Sequence, residues 1–305
     1  MLWQRLLTAA VGIPVLLWLT YVGGFYLTAA VALLALLSLR ECYRLAARLG
    51  GRPEEAAEDG RRSGPGGSAN RLLAVVQLAG YALGLFAPLA SHSSAGPALL
   101  QTLLALALVA AVCLAYTMRM GRALPPAAAR LFGVLLGASS LPALFSYLLL
   151  LRSLGAYPVV LPGLRVTLPS GACWLFLVFA ACWAMDTAAY AVGRSWGKRK
   201  LCPTLSPGKT VEGAIAALVA ALLITCGLGW WFGLPLWPAY GALLGLILGV
   251  VGQLGDLAES KLKRWAGVKD SGAILPGHGG ILDRFDSLLL AAPAAYHFLR
   301  LVAGM

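Results

Sequence analysis

Long apolar runs recur along this 305-residue chain and are separated by shorter polar segments. An α-helix of about 20 apolar residues crosses the hydrocarbon core of a bilayer, and nine of the runs approach that length. They lie at about residues 6–22, 25–39, 72–90, 98–116, 131–151, 172–192, 214–232, 239–257 and 288–302. The pattern therefore predicts an all-α, polytopic membrane protein of about nine transmembrane helices.

The composition supports a membrane protein. Hydrophobic residues make up 60% of the chain and charged residues 12%, whereas about a quarter of the residues in a soluble domain are charged. The net charge of +12 raises the question of nucleic-acid binding, but the basic residues lie in short loops between apolar runs. We therefore expect no nucleic-acid partner. The six cysteines form no CxxC motif and most lie in apolar runs, so we expect no disulfides.

The distribution of Lys and Arg predicts an orientation. If the N-terminus is cytoplasmic, 21 of the 24 basic residues lie on the cytoplasmic side and the C-terminus lies outside. Cytoplasmic loops of membrane proteins are enriched in Lys and Arg, so this bias supports both the orientation and the number of spans. The first long loop, residues 40–71, is rich in Gly and carries both charge signs. We interpret it as a solvated and partly disordered loop without chemistry.

Acidic residues outside that loop gather near two cytoplasmic loops in the last 120 residues. They are Asp186, Glu212, Asp256, Glu259, Asp270, Asp283 and Asp286. We therefore expect two regions. Residues 1–171 form an N-terminal membrane region of spans one to five with the loop 40–71, and residues 172–305 form a catalytic membrane region of spans six to nine with the loops 194–213 and 258–286.

Asp186 lies inside the sixth predicted span. Its distance from the helix end is roughly 12 Å at a rise of about 1.5 Å per residue. An acid at that depth is costly unless it faces a polar cavity or a partner, so we interpret Asp186 as functional. A structural pair with a basic residue of another helix is the alternative.

The basic loop after the sixth span predicts an anion site. Gly208-Lys209-Thr210 superficially resembles a phosphate loop, but the first glycine would fall at Pro203 and we expect no strand before it. Ser206, Lys209 and Thr210 are predicted to open the seventh helix, whose free N–H groups and positive dipole end favour anions. We therefore expect a phosphate-bearing ligand. A capped helix with a basic interfacial anchor is the alternative.

Polar side chains recur on one face of the eighth predicted span, where it enters the cytoplasmic headgroup layer. They are Gln253, Asp256, Glu259 or Ser260, and Lys263. Asp283 and Asp286, three residues apart, would share a face of the helix that leads into the ninth span. Carboxylates from adjacent helices with basic residues around them suit a divalent cation bridged to phosphates, because Mg²⁺ takes hard oxygen ligands. A salt-bridge network that neutralises itself is the alternative.

His278 lies among the glycines Gly277, Gly279 and Gly280. Glycine permits backbone conformations and close ligand approach that a side chain would block. We therefore interpret His278 as a phosphate ligand or proton carrier.

Two blocks of sequence carry a resemblance to a known family. The block nearer the C-terminus reads Ser260-x-Leu262-Lys263-Arg264, Lys269-Asp270-x-Gly272 and Leu275-Pro276-x-His278-Gly279-Gly280-x-x-Asp283-Arg284-x-Asp286. The upstream block contains Asp186-Thr187, Tyr190, Gly193-Arg194, Gly197-Lys198, Leu205-Ser206-Pro207, Lys209-Thr210 and Glu212-Gly213. Together they resemble the phosphatidate cytidylyltransferase family, also called CDP-diacylglycerol synthase. Specific motifs cover the last third of the chain, whereas the first 170 residues resemble the family only in hydropathy.

The resemblance implies an enzyme that uses CTP and phosphatidate, forms CDP-diacylglycerol and pyrophosphate, and requires Mg²⁺. Asp256, Asp283 and Asp286 would be the carboxylates of the metal site. The phosphates of CTP and lipid would be held by Ser206, Lys209, Thr210, Lys263 and Arg264, with Asp186 in the same binding site. His278 would orient one of the phosphates. We expect the protein in the bacterial cytoplasmic membrane with its active site facing the cytoplasm.

Two other classes of protein are alternatives. A secondary transporter would also bury acids among its spans, but it predicts acids near the bilayer midplane and two repeated halves. Here the acids lie at one face, and no repeat is visible. A CDP-alcohol phosphotransferase needs a D-G-x-x-A-R run, which this chain lacks. The oligomeric state is open, with a homodimer as one option.

Overall fold

The computed structural model describes residues 2–49, 68–90, 126–155, 157–161, 163, 166–235, 238–275, 277 and 279–302. Within these residues the chain forms eight α-helices and two small β-hairpins. The helices are α1 (Leu2–Val22), α2 (Gly24–Arg48), α3 (Ser68–Ala90), α4 (Pro126–Arg152), α5 (Ser170–Ser195), α6 (Val211–Trp231), α7 (Ala239–Trp265) and α8 (Leu282–Val302).

Eight of the nine predicted apolar runs coincide with these helices. The fourth run, residues 98–116, lies outside the described residues. Among the described helices, five are long and apolar enough to cross a membrane, namely α2, α4 from Arg130 onward, α5, α6 and α7. The prediction of a helical, multi-pass membrane protein is therefore confirmed, whereas the count of nine spans stays a prediction.

The chain forms two compact units. The first unit contains Met1–Thr28, Tyr147–Lys261 and Arg284–Met305, and the second contains Ala29–Ser146 and Leu262–Asp283. Each unit thus includes residues from before and after residue 171. The predicted regions 1–171 and 172–305 were defined by where the functional side chains lie, and this division stays a prediction.

Small residues allow the helices of the first unit to pack closely. On α7, a Cβ added at Gly249 would lie 2.9 Å from Leu218 Cδ2 and 3.2 Å from Leu218 Cα of α6. A Cβ at Gly245 would lie 2.6 Å from Leu222 Cα of the same helix. Between helices in a bilayer, small residues at such contacts allow the dispersion attraction and backbone approach that drive association.

A hairpin precedes α6, contrary to the expectation that no strand comes before Gly208-Lys209-Thr210. The strands β3 (Lys200–Cys202) and β4 (Ser206–Thr210) pair antiparallel, with Lys200 opposite Thr210 and Cys202 opposite Ser206. Strands of three and five residues are too short to show a period-two pattern in the sequence. The motif is still not a phosphate loop, because its first glycine is missing. A second hairpin precedes α5 and joins β1 (Pro158–Val160) to β2 (Thr167–Pro169).

In the second unit, α2 extends well beyond the predicted apolar run, which ends at residue 39. Residues 40–48 were expected to begin a solvated loop, but they continue the helix. Cys42 and Tyr43 are buried there, and a Cβ at Gly133 of α4 would lie 2.9 Å from Ala46 Cβ. The loop prediction is therefore wrong for the start of this segment, because helical packing against α4 continues past the purely apolar residues. Residues 50–67 lie outside the described part of the chain.

Candidate active site

Three acidic side chains from three helices of the first unit lie close enough to interact electrostatically. They are Asp186 of α5, Asp256 of α7 and Asp286 of α8. The carboxylate of Asp186 interacts electrostatically with both of the others. Asp186 is exposed, and Asp256 and Asp286 are half-buried. The functional role of Asp186 stays a prediction.

Two glycines of α7 explain how the three helices come together. A Cβ at Gly255 would lie 2.5 Å from the carbonyl oxygen of Asp286, so only glycine lets α7 approach α8 at this point. A Cβ at Gly252 would overlap the side chain of Met185, the neighbour of Asp186 on α5. Gly255 directly precedes Asp256 on α7 and contacts the backbone of Asp286, and Met185 directly precedes Asp186 on α5. Gly255 therefore limits how closely α7 approaches α8, whereas the flexible end of Met185 could move away from a side chain at position 252.

Cationic side chains accompany the acids. Lys209 Nζ lies 2.5 Å from Asp256 Oδ2, and the two side chains are 26% and 28% exposed. Lys209 and Arg284 also interact electrostatically with Asp186. Ser260 donates a hydrogen bond of 3.3 Å to Asp256 Oδ1. The site thus offers carboxylate oxygens to a cation and basic groups to an anion within the same unit.

The hairpin β3–β4 carries Lys209 and is fastened to the start of α6. Thr210 is the N-cap of α6, and its hydroxyl accepts a 3.2 Å hydrogen bond from Gly213 N. The carboxylate of Glu212 accepts hydrogen bonds from the N–H groups of Lys198 and Arg199, at 3.1 and 3.2 Å. Since Thr210 is buried and its hydroxyl caps the helix, its direct contribution here is to hold the hairpin. Ser206 lies half-buried at the start of β4.

Asp283 and Lys263 form an ion pair in the second unit. Lys263 Nζ donates to Asp283 Oδ1 at 2.6 Å, and the side chains are 12% and 4% exposed. Asp283 Oδ2 accepts from Ser271 N at 2.9 Å, from Ser271 Oγ at 3.0 Å and from Gly280 N at 2.8 Å. Burial alone raises the pKa of Asp283, but the Lys263 hydrogen bond and these N–H groups outweigh it and hold the pKa below its ordinary value. Asp283 is thus an ionised carboxylate with both oxygens engaged.

Glu41 is the residue that the sequence analysis missed. It lies on α2 with its side chain fully buried in the second unit. Its carboxylate accepts hydrogen bonds from Ile281 N and Leu282 N, and its Oε2 lies 3.0 Å from Ser271 Oγ, whose single proton it shares with Asp283 Oδ2. The residue was assigned to a solvated loop because it follows the last purely apolar position of its run. The helical spacing of apolar residues continues past Glu41 at Leu45 and Ala46, which are buried in the structure. This spacing is the sequence signal that could have revealed the longer helix.

The remaining predicted residues divide into those that the structure describes and one that it does not. Arg264 is exposed at the end of α7 and donates a 3.1 Å hydrogen bond to Val268 O. His278 lies outside the described residues. Asp283 and Asp286 lie in the first two turns of α8, as the i, i+3 spacing predicted.

Within the described ranges, no three Asp, Glu, His or Cys side chains lie together as a ready-made metal site. The metal role of the three predicted carboxylates therefore stays a prediction.

Comparison with known proteins identifies similar sequences. Residues 3–302 match the sequence profile of the cytidylyltransferase family. A phosphatidate cytidylyltransferase of Bacillus subtilis is 51% identical over 131 residues, which are 43% of this chain and 49% of that protein. The phosphatidate cytidylyltransferase of Synechocystis sp. is 48% identical over 134 residues, which are 44% of this chain and 45% of that protein.

These matches bear on the alternatives. Each curated relative is matched over about half of its own length. The transporter alternative is not supported, since the matched proteins are cytidylyltransferases. Because the family profile covers nearly all of the sequence, the chain belongs to the cytidylyltransferase family.

Proposed function

We propose that this protein transfers the cytidylyl group of CTP to phosphatidate, forming CDP-diacylglycerol and releasing pyrophosphate. The observation that carries this proposal is the convergence of Asp186, Asp256 and Asp286 with Lys209 and Arg284 in one unit of a membrane protein. The reaction needs a group that binds polyphosphate next to the bilayer, where the lipid substrate resides. Membership of the cytidylyltransferase family and the names of the relatives support this reaction.

Mg²⁺ fits the donor chemistry of this group. Carboxylate oxygens are hard ligands, and Mg²⁺ is commonly bound by one or two carboxylates together with substrate phosphates and water. The lack of a ready-made group of three ligands among the described residues is therefore compatible with Mg²⁺ binding. Asp256 and Asp286 would hold the ion, with Asp186 beside them. When bound, Mg²⁺ supplies positive charge to the phosphate oxygens and the leaving pyrophosphate.

We place Asp283 outside the metal group. Its side chain is only 4% exposed, and its oxygens meet Lys263 and three donors of the turn. The Asp256 side chain is 28% exposed and contacts Lys209 and Ser260, so a cation can reach Asp256 with fewer contacts to displace. Lys263 is correspondingly held by Asp283. We therefore propose that this pair orders the turn, in place of the metal and phosphate roles predicted from the sequence. Direct phosphate contacts of Ser206, Arg264 and His278 stay predictions.

The reaction joins two polyanions. An oxygen of the phosphatidate phosphate forms a bond to the α-phosphorus of CTP, and the bond from that phosphorus to the pyrophosphate oxygen breaks. The work of the protein is to hold the two substrates in line and to offset their repulsion. Lys209 and Arg284 supply the cationic groups. In the structure Lys209 pairs with Asp256, and a bound phosphate would compete with that carboxylate for the ammonium group.

The proposed function is tested by following the label of CTP in detergent. With phosphatidate and Mg²⁺, purified protein should move label from [α-³²P]CTP into the lipid-soluble fraction. The matched control is [γ-³²P]CTP, whose label should remain in the aqueous fraction because it leaves with pyrophosphate. Absence of lipid-soluble α-label, or equal transfer of γ-label, would contradict cytidylyl transfer.

A further inference from the structure

Glu41, a buried acid of α2, holds the segment just before α8, which belongs to the C-terminal sequence motif. The Glu41 side chain is 0% exposed, and a buried carboxylate is costly unless its oxygens accept hydrogen bonds. Ile281 N donates to Oε1 at 2.9 Å, Leu282 N donates to Oε2 at 2.9 Å, and Ser271 Oγ lies 3.0 Å from Oε2. All of these donors belong to the segment that precedes and begins α8.

Two glycines of the motif make room for this carboxylate. A Cβ at Gly272 would lie 2.6 Å from Glu41 Oε1. A Cβ at Gly280 would overlap both Glu41 Oε2 and Ser271 Oγ. From the sequence, Gly280 was expected to permit a special backbone conformation or the close approach of a ligand. In the structure the group that approaches both glycines is the carboxylate of Glu41.

The same carboxylate occupies the N-terminus of α8. The first N–H groups of a helix have no partner within the helix, and the positive end of the helix dipole favours an anion there. Glu41 satisfies the N–H groups of Ile281 and Leu282 from a different helix. These two N–H groups are therefore occupied by a residue of the protein and do not bind a substrate phosphate.

The contacts of Glu41 continue to the Asp283–Lys263 pair. Ser271 Oγ lies 3.0 Å from Asp283 Oδ2 as well as from Glu41 Oε2. Lys263 completes the chain of contacts by donating to Asp283 Oδ1. Glu41 thus connects α2 to the end of α7 and the start of α8 inside the second unit. Asp286 follows Asp283 by three residues along α8, so the direction of the first turn of this helix determines where its carboxylate projects.

We propose that Glu41 is a positioning residue for cytidylyl transfer, because its carboxylate holds Ser271, Ile281 and Leu282, and with them the first turn of α8, in one arrangement. The expected effect of Glu41 on catalysis rests on the proposed function. Glu41 touches no substrate, since its side chain is fully buried and its oxygens are engaged by the turn. Its loss should therefore affect turnover more than substrate binding.

The test compares Glu41→Gln and Glu41→Ala with Ser38→Ala, a change at an equally buried residue one turn earlier on α2. Gln keeps one oxygen acceptor and Ala keeps none. We expect exchange of the Ile281 and Leu282 amides to accelerate in the order wild type, Gln, Ala. We expect kcat to fall by about 10-fold to 100-fold in Glu41→Ala, the scale of a misplacement of about 1 Å, with KM for CTP within about threefold. Ser38→Ala should leave the exchange of these amides unchanged.

A second variant avoids removal of the buried acid. Gly272→Ala should lower kcat in the wild-type background, since its Cβ would meet Glu41, but should have little further effect in Glu41→Ala. The matched control is Gly227→Ala, where an added Cβ would have nothing within 4 Å. Strictly additive effects of Gly272→Ala and Glu41→Ala would contradict the proposal.

Three outcomes separate the explanations. Wild-type exchange at residues 281 and 282 together with kcat within about twofold of wild type in Glu41→Ala would overturn the proposal. A loss of kcat that follows only the fall in melting temperature, with KM rising in parallel, would also overturn it, because that pattern indicates general destabilisation. If the wild-type protein forms no CDP-diacylglycerol, the proposed function fails, whereas the exchange measurement still decides whether Glu41 holds the turn.

Discussion

Lys209 shows how a single side chain of the site can be tested. It pairs with Asp256 in the structure, and we assign it to the phosphates of the substrate. A charge-assisted hydrogen bond contributes about 1.5–3 kcal/mol, so Lys209→Ala should lower kcat/KM for CTP by about 10-fold to 100-fold. The control is Lys261→Ala, at an exposed position of α7. Equal kcat/KM in the two variants would assign Lys209 the role of a basic interfacial anchor instead.

Asp283 and Lys263 should behave as a structural pair. Removing one partner of a buried ion pair leaves the other charge uncompensated and costs about 3–5 kcal/mol. Asp283→Asn should therefore lower the melting temperature in detergent, whereas Asp283→Asn combined with Lys263→Met should recover part of the loss. If Asp283→Asn is as stable as wild type while CDP-diacylglycerol formation is lost, Asp283 belongs with the metal ligands instead.

The pKa of Asp283 gives this pair a defined pH dependence. Because the folded pKa lies below the unfolded value of about 3.9, the ionised carboxylate stabilises the fold at higher pH. That contribution is lost only as the pH falls through the folded pKa. After correction for intrinsic rates, the Ser271 and Gly280 amides should be equally protected at about pH 8 and about pH 6. Weaker protection at the lower pH would contradict the assignment of an ionised Asp283 beside Lys263.

At the scale of elements, the approach of α7 to α8 is the contact most closely tied to activity. A side chain at Gly255 would meet the carbonyl oxygen of Asp286 and push the two helices apart. Gly255→Val should therefore remove most CDP-diacylglycerol formation, since a shift of about 1 Å can cost about 100-fold in rate. Gly227→Ala on α6 should keep wild-type activity. Retained activity in Gly255→Val would show that this contact does not determine the site.

Hydropathy predicted most of the helices and the identity of the acids, because membrane spans and intramembrane charges leave strong signals in a sequence. The hairpin β3–β4 was missed, since pairing of such short strands depends on contacts that no local pattern reveals. Glu41 was missed for a related reason. Its donors lie about 240 residues away in the sequence, at Ile281 and Leu282, and only the packing of α2 brings them together.

For the whole molecule, the distribution of basic residues predicts that the loop after α5 is cytoplasmic. In a background with the native cysteines replaced, Ser195→Cys at the exposed end of α5 should resist an impermeant thiol reagent applied to intact cells. Thr167→Cys, exposed on β2 and predicted to lie outside, is the matched control and should be labelled. Labelling at position 195 with protection at position 167 would show that the protein has the opposite orientation.

The most direct test of the whole account is the rate of CDP-diacylglycerol formation by Asp256→Asn and Asp286→Asn at saturating Mg²⁺, measured on purified protein of confirmed thermal stability. If the two carboxylates serve one group, each variant should lose most activity, and the double variant should lose little more, because parts of one site are not additive. Arg300→Ala, at the other end of α8 from the acids, should remain active. Turnover close to that of the wild type in both single variants would contradict the assignment of the active site.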